Sequence, residues 1–356
     1  MSTLFKDMLS SDESVFKNED ALDFDYIPKL MPFRETQQSY VAACIAPLLQ
    51  GRNGKNLFIS GAPGIGKTAA VRWVLRDLEE ETDEVVPIYI NCWQKNTTYK
   101  IMLEICDQLG YKFTHNKKTE ELFAVIKDIL NKKAAVFVFD EIDKIQDFDF
   151  LYTIMEEIYK KSIILITNFK EWMAELDQRI KSRLTPEPLQ FRQYNPAETD
   201  KILRKRIDYA FVPGVWEDSA LRLISKKTSD IKDIRSGLYL LRQSGLAAED
   251  RSSRKIGEGH AKVALEKLDE FTIKGSDQLE DETKFILDLV KQKSGSRIGD
   301  LHRMYLQKGG HSSYKSFRRK ITKLEESKFI TLERVTDKTG NTSIVKYNNV
   351  KKLTDF

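Results

Sequence analysis

One eight-residue segment, Gly61–Thr68, constrains the fold of this chain more than any other feature. It matches G-x4-G-K-[ST], follows an apolar stretch of strand character at Asn56–Ser60, and precedes a stretch of helical spacing at Ala69–Glu79. Glycines let the backbone curl so that successive N–H groups face a phosphate, and the dipole of the following helix favours negative charge. The segment therefore predicts a phosphate-binding loop (P-loop) between a strand and a helix. The residues expected to contact the nucleotide are Gly61, Ala62, Pro63, Gly64, Ile65, Gly66, Lys67, Thr68 and Ala69.

Two side chains of the P-loop carry specific chemistry. Lys67 is expected to bridge the β- and γ-phosphates, and Thr68 is expected to give its hydroxyl to Mg²⁺. A chance match to the motif in a glycine-containing loop is the alternative, but it does not account for the strand and helix on either side.

A second acidic motif supports the nucleotide site. Val136–Phe139 is an apolar run that ends in Asp140 and Glu141, and such a run indicates a strand buried on both faces. Asp140 is expected to join Thr68 in the Mg²⁺ shell, and Glu141 is expected to orient or deprotonate the attacking water. Read alone, the pair could be an ordinary acidic turn at a strand end.

A further apolar run, Ile163–Thr167, ends in Asn168. In a parallel sheet its carboxyl end lies at the same edge as the P-loop, where ligands bind. Asn168 is therefore a candidate for holding the attacking water or the γ-phosphate. An asparagine that simply starts a turn is the alternative, and the residue alone does not decide between them.

Strand-like and helix-like stretches alternate from Asn56 to Phe191, which predicts an α/β domain with a parallel sheet flanked by helices. From Asn195 the pattern becomes all-helical, with an Asn cap, a Pro at the first helical position and Glu198 placed to bond back. Lys274–Asp277 is predicted to be a linker. The expected strands are Asn56–Ser60, Val85–Asn91, Ala134–Asp140, Ile163–Asn168 and Pro188–Phe191, and the expected helices are Ala69–Glu79, Tyr99–Leu109 and Glu120–Asn131.

The C-terminal part predicts three helices and a β-hairpin, the winged helix-turn-helix pattern. The helices are Leu279–Lys291, a short one capped by Asp300, and Ser313–Ser327; strands at Ile330–Thr336 and Ser343–Tyr347 follow. In the third helix Phe317, Ile321 and Leu324 form an apolar stripe, and basic and hydroxyl side chains occupy the rest, as major-groove recognition requires. A winged helix used only for protein contacts is the alternative. The candidate DNA contacts are Lys315, Ser316, Arg318, Arg319, Thr322 and Lys323, with Lys338 at the hairpin tip.

The distribution of charge agrees with a separate C-terminal DNA-binding domain. The net charge is +4, but residues 276–356 carry 17 Lys/Arg against 11 Asp/Glu, so the basic excess lies in the C-terminal part. This distribution favours a polyanion-binding module, although a solvated basic surface has the same charge. Three cysteines form no CxxC pair, and neither a signal-peptide core nor an apolar run of membrane-spanning length is present. We therefore expect a cytoplasmic protein without membrane contact.

The order of these motifs resembles the AAA+ ATPases, and more narrowly the archaeal origin-recognition/cell-division-cycle family of DNA replication initiators. The resemblance extends from about Tyr26 to Tyr347. It rests on the P-loop, Asp140–Asp143, Asn168 and Leu176–Leu184 for the class. For the family it rests on Tyr26–Glu35, Tyr89–Cys92, Thr97–Ile105, Phe191–Glu198, Ile202–Phe211 and Gly237–Glu249.

The resemblance implies roles for several lid residues. Tyr194 and Arg206 resemble residues that contact the nucleotide, and Arg235 resembles the lid arginine that senses the γ-phosphate. The segment departs from the family pattern: it lacks the usual glycine before Arg235, and Ser236 replaces a second arginine. Arg242, on the same helical face, is the other candidate sensor.

The resemblance also implies an arginine finger and a second DNA contact. Arg183 resembles the finger that is offered to ATP on a neighbouring subunit, with Arg179 as the other candidate. Thr97–Ile105 resembles an initiator-specific helix that touches DNA, and Lys95 and Lys100 would be its contacts. Without the resemblance this helix is an ordinary amphipathic one.

We therefore expect an ATP-dependent replication initiator that binds origin duplex DNA, uses ATP, ADP and Mg²⁺, and hydrolyses ATP slowly as a switch. Other initiator subunits and the replicative helicase are possible further partners. A clamp-loader- or transposition-type AAA+ ATPase and an ATP-binding transcription regulator are the alternatives. The expected domains are a flexible N-terminus at 1–20, a nucleotide-binding domain at 21–194, a helical lid at 195–275 and a winged helix at 276–356.

Overall fold

The computed structural model describes residues 14–277, 281–326, 329–337 and 340–347. The chain divides into two compact units, Met1–Leu265 and Glu266–Phe356. Within the described residues, no helix has both the length and the apolar character needed to cross a membrane.

The first unit is built on a five-stranded, fully parallel sheet in the order β2-β3-β4-β1-β5. All seven residues of the central strand β3 are buried, as its continuous apolar sequence predicts. All five predicted strands are confirmed, with ends that differ by no more than two residues. Asn168 lies one residue beyond β4 rather than within it. The strands are β1 Leu57–Ser60, β2 Val85–Asn91, β3 Ala134–Asp140, β4 Lys161–Thr167 and β5 Glu187–Gln190.

Helices cover both faces of this sheet. Phe137 and Phe139 pack with α3, α4 and α5 on one face, whereas Val136 and Val138 pack with α1 and α2 on the other. The alternation follows from the two-residue period of a strand. The helices of this layer are α1 Glu35–Ile45, α2 Lys67–Glu81, α3 Thr98–Gln108, α4 Thr119–Leu130, α5 Asp149–Glu157, α6 Trp172–Glu175 and α7 Gln178–Leu184, with short 3₁₀ turns at Glu19–Leu22, Ala46–Gln50 and Ile142–Lys144.

The helices α8 Pro196–Ala210, α9 Asp218–Ile231, α10 Ile234–Glu249 and α11 Glu258–Asp277 follow the sheet. Asn195 caps α8 as predicted: its side chain accepts from the Glu198 N–H, and Glu198 accepts from the Asn195 N–H. The predicted linker at Lys274–Asp277 is wrong, because α11 continues to Asp277. A single glycine such as Gly275 disfavours a helix by only about 1 kcal/mol, and a long helix tolerates it.

The second unit contains α12 Asp281–Gln292, β6 Ser296–Arg297, α13 Ile298–Gln307, α14 Tyr314–Glu326, β7 Ile330–Asp337 and β8 Gly340–Tyr347. Its three-stranded antiparallel sheet has the order β6-β8-β7. Phe317, Ile321 and Leu324 are fully buried, which confirms the predicted inner face of α14.

Asp300 does not cap α13 as expected. The helix begins at Ile298, because Arg297 is held extended by pairing with β8 and occupies the cap position. Asp300 lies in the first turn, where its charge still favours the helix dipole, and accepts from Arg303. Lys338 lies outside the described residues.

The Glu198 carboxylate gives the start of α8 a pH dependence. Its hydrogen bonds from Arg192 hold the pKa of Glu198 at about 2. An unfolded glutamate has a pKa of about 4.3, so the charge stabilises the fold at pH 7 and progressively less as pH falls below about 4.3.

Glu198→Gln keeps the capping geometry and removes the charge. We expect a lower free energy of unfolding at pH 7, by less than about 1 kcal/mol because solvent screens the exposed Arg192. Urea titrations at pH 7 and pH 4 check this; a difference that does not shrink at pH 4 contradicts it.

Candidate functional site

A cavity in the first unit lies at the carboxyl ends of the central strands, between the sheet and helices α8 and α10. Three segments line it: a stretch before α1, the P-loop with the ends of β3 and β4, and the inner faces of α8 and α10. The lining residues include Tyr26, Ile27, Pro28 and Met31 from the first, Gly64, Lys67, Thr68, Glu141 and Asn168 from the second, and Tyr194, Arg206, Arg235 and Leu238 from the third.

The P-loop has the predicted curled backbone. Gly64 and Gly66 adopt positive φ angles of 70° and 85°, a region that favours glycine. The Lys67 ammonium donates to the Gly61 and Ala62 carbonyls and to Asn168 Oδ1, each at 2.8 Å. Burial lowers the pKa of Lys67 to about 8. The loop therefore holds a desolvated cation among neutral oxygens, an arrangement that favours an anionic ligand.

Asp140 organises the oxygen atoms beside the P-loop. Its Oδ2 accepts from the Thr68 hydroxyl at 2.5 Å and from the Tyr89 hydroxyl at 2.8 Å, and its Oδ1 accepts from the Glu141 N–H. Only 4% of Asp140 is exposed. The structure thus brings the predicted pair Thr68 and Asp140 together, and a hydroxyl with a carboxylate is a donor set that Mg²⁺ accepts.

Glu141 and Asn168 are a second pair of hydrogen-bonded polar side chains in the cavity lining. Asn168 Nδ2 donates to Glu141 Oε2 at 2.9 Å, while Asn168 Oδ1 accepts from Lys67. Burial and the neighbouring Asp140 charge raise the pKa of Glu141. One amide therefore links the phosphate-loop lysine to a carboxylate whose basicity is increased, as a general base requires.

Sequence reasoning missed two residues of this site. Tyr89 is 51 positions from Asp140 in the chain, and no local sequence pattern indicates the hydrogen bond between them. Arg34 is fully buried, and its guanidinium donates to the Ile65 carbonyl of the P-loop and to the Arg192 carbonyl before α8. It stacks on Tyr194 at 3.9 Å. Arg34 and Tyr89 belong to stretches that carried the family resemblance, which was their only signal.

The three lid residues implied by the resemblance all line the cavity, but with different partners. Arg235 pairs with Asp233, and Asp233 packs so closely on Gly64 that a Cβ there would meet its carboxylate at 1.9 Å. Arg206 donates to the Ala21 and Tyr26 carbonyls, so it anchors the segment before α1. Tyr194 packs under Arg34.

The remaining candidate arginines lie away from the cavity lining. Arg242 pairs with Glu19 and Asp23, so the structure does not bring it to the site. On α7, Arg183 pairs with Glu156 and stacks on Tyr152, whereas Arg179 is 84% exposed beside Asp177. This arrangement does not select between Arg183 and Arg179.

The candidate DNA contacts fall on two surfaces. On α14, Lys315, Arg318, Arg319 and Thr322 are exposed and Ser316 is half-buried, opposite the buried stripe. The Lys323 side chain lies outside the described part of the structure. At the start of α3, Lys100 is exposed beside Asn96, and Lys95 pairs with Glu104 at 2.8 Å.

A parallel sheet with a P-loop, strand-end carboxylates and a helical lid defines an AAA+ ATPase. Residues 50–170 match the AAA domain family, and residues 200–266 match the Cdc6 AAA+ ATPase-type lid domain. The chain is 35% identical over 285 residues to ORC1-type DNA replication protein 1 of Sulfurisphaera tokodaii, which covers 75% of this chain and 72% of the relative. The chain belongs to the family of ORC1-type DNA replication proteins.

Two further relatives cover nearly the whole chain. ORC1-type DNA replication protein 2 of Methanothermobacter thermautotrophicus is 31% identical over 338 residues, or 90% of this chain and 88% of the relative. The solved structure of the Aeropyrum pernix ORC1 protein in complex with DNA matches with a TM-score of 0.75 and 26% identity, covering 95% of this chain and 94% of that one. The predicted class, family and architecture are thereby confirmed, including the lid and the C-terminal winged helix.

The buried Arg34 generates a stability prediction. Arg34→Ala leaves the Ile65 and Arg192 carbonyls without the guanidinium and opens space beside Tyr194. We expect the free energy of unfolding to fall by about 3 kcal/mol, because hydrogen bonds from a buried charge are lost. Chemical denaturation measures it, with exposed Arg52→Ala as the control. Equal stability of the two variants contradicts the assigned role.

Proposed function

We propose that this family member is an ATP-dependent initiator of DNA replication that binds origin duplex DNA, with ATP binding and slow hydrolysis as its switch. The observation that carries the proposal is the chain of contacts from Lys67 through Asn168 to Glu141, beside the Thr68–Asp140 pair. These groups line the cavity on the side of the sheet, and helices α8 and α10 of the lid line it on the other side. A nucleotide bound in the cavity would therefore contact both.

The P-loop residues are the proposed phosphate ligands, and the segment Tyr26–Met31 is the proposed wall for the base. Thr68 and Asp140 would hold Mg²⁺, since their oxygens already meet at 2.5 Å. Bound Mg²⁺ neutralises charge on the phosphates. Tyr89 fixes the orientation of the Asp140 carboxylate through its hydroxyl.

Glu141 is the proposed general base for the attacking water. Burial raises its pKa, which favours proton acceptance, and its hydrogen bond from Asn168 fixes the carboxylate. Arg235 lies where its charge faces the same cavity and is the proposed γ-phosphate sensor.

Complete catalysis would require a second subunit. Arg183 is the proposed finger and Arg179 its rival; both lie outside the cavity that their own subunit forms. An arginine near the γ-phosphate stabilises the charge of the transition state, so a lone subunit should hydrolyse ATP slowly. Other initiator subunits are therefore proposed partners, as is the replicative helicase.

Duplex DNA is the proposed ligand of the winged helix, at residues 276–356. The exposed cations of α14 surround a helix with a fully buried back, which leaves its front available for the major groove. Lys95 and Lys100 are the proposed contacts from the nucleotide-binding domain at 21–194, and the lid at 195–275 completes the proposed domain order after the N-terminal 1–20. The DNA complex of the Aeropyrum pernix relative supports this ligand.

Substitution of Glu141 tests the nucleotide chemistry. Glu141→Gln should retain ATP binding and reduce hydrolysis by a factor on the order of a hundred or more, because a general base typically contributes that much. Lys67→Ala is the matched contrast and should lose binding itself. Fluorescent ATP-analogue binding and phosphate release, both with Mg²⁺, measure the two steps. Equal hydrolysis by the parent and the Glu141→Gln variant refutes the assignment.

Substitution of Arg319 tests the DNA surface. Arg319→Ala should weaken binding to origin duplex by roughly tenfold, as expected for the loss of one base or phosphate contact. Lys112→Ala removes an exposed cation that pairs with Asp107 and is the control. Fluorescence anisotropy with labelled duplex at fixed salt reports the change. If both variants bind like the parent, a protein-remodelling ATPase is the better description.

A further inference from the structure

Three adjacent strands of the sheet, β2, β3 and β4, are each followed at their carboxyl ends by one large side chain that reaches solvent. These side chains are Trp93, Lys144 and Phe169, which we call the aromatic–lysine surface. The Lys144 ammonium lies 5.2 Å from the centre of the Trp93 ring and 5.5 Å from that of Phe169. The ammonium thus lies within cation–π distance of both rings.

Both aromatic residues are more than half exposed. Trp93 is 65% exposed and Phe169 is 52% exposed, although exposed tryptophan forgoes the large gain of burying an indole. Neither ring is needed for the nucleotide site described above, since neither lines its cavity. Two flat apolar faces held at one sheet edge fit a ligand with flat rings.

Lys144 is held in place rather than extended into solvent. Asp143 Oδ2 lies 2.9 Å from the Lys144 ammonium, and Asp143 Oδ1 accepts from the Thr167 hydroxyl at 2.7 Å. An ammonium has three N–H donors, and one carboxylate oxygen engages only part of that capacity. Exposed Lys170 adds positive charge next to Phe169.

We propose that the aromatic–lysine surface binds an unpaired DNA strand, with bases stacked on Trp93 and Phe169 and a phosphate against Lys144. Single-stranded nucleic acid alternates flat rings with negative charges, which is the pattern this surface complements. In a duplex each base face is covered by its neighbours, so a protein ring must first unstack two bases at a cost of about a few kcal/mol, whereas an unpaired strand offers its base faces directly. The inference rests on the proposed function, because it takes DNA as the partner.

The surface is contiguous with the nucleotide site. Phe169 directly follows Asn168, and the 3₁₀ turn that ends in Lys144 begins one residue after Glu141. Phe169 and Lys144 are therefore only one and three residues along the chain from Asn168 and Glu141.

The test uses the full chain and three labelled probes: a short oligo-dT strand, an abasic strand of the same length, and a duplex of the same length. Trp93→Ala and Phe169→Ala should each weaken oligo-dT binding on the order of tenfold, since each removes one stacking face. Duplex affinity should stay within about twofold. The parent should bind the abasic strand weakly, and Trp93→Phe should restore oligo-dT binding because it restores a ring. Phe113→Ala removes a 79% exposed ring elsewhere and is the control.

Several results would overturn the proposal. Oligo-dT binding by both variants at the parent's affinity would show that the rings do not stack bases. An equal loss for strand and duplex would indicate a backbone contact only. Altered self-association in size-exclusion chromatography, without a change for oligo-dT, would assign the surface to a protein partner. Failure of the parent to bind duplex would instead refute the proposed function, which the Arg319→Ala test addresses separately.

Discussion

The buried ammonium of Lys67 is the interaction on which the rest of the site depends. A desolvated cation is costly, and here its direct hydrogen-bond acceptors are two P-loop carbonyls and the Asn168 amide oxygen, with the charges of Asp140 and Glu141 nearby. That arrangement requires the loop to curl over the lysine and requires the end of β4 to stand next to it. Because Asn168 also donates to Glu141, the same constraint positions the candidate base.

The parallel sheet makes this convergence possible. β1, β3 and β4 are neighbours although distant in sequence, so the P-loop, Asp140 and Asn168 meet at one edge. Helices and strands whose own sequence carries a local pattern could be predicted from the sequence. Strand β3 and the cap of α8 illustrate this, since an apolar run and an Asn-Pro-x-Glu pattern each specify local structure.

Other features depend on contacts that the sequence does not display. The Tyr89–Asp140 hydrogen bond and the Arg34 contacts join residues far apart in the chain, so no local pattern could announce them. Two secondary-structure predictions were also wrong. One glycine, Gly275, costs a long helix too little to end α11, and pairing of Arg297 with β8 moved Asp300 from the cap into the first turn of α13. The exposure of Trp93 was equally invisible before the fold was known.

The segment before α1 is attached at its two ends to different parts of the first unit. Its early residues are bound to the lid, where Arg242 pairs with Glu19 and Asp23 and the Ala210 carbonyl accepts from Lys17. Its later residues are bound to the sheet layer through Arg34 and through the Trp73 indole, which donates to Lys29. The stretch between these anchorages is the wall proposed for the base, so a change in the position of the lid relative to the sheet would displace this wall. By reciprocity, a base bound against that wall would favour or oppose the change in lid position by the same free energy.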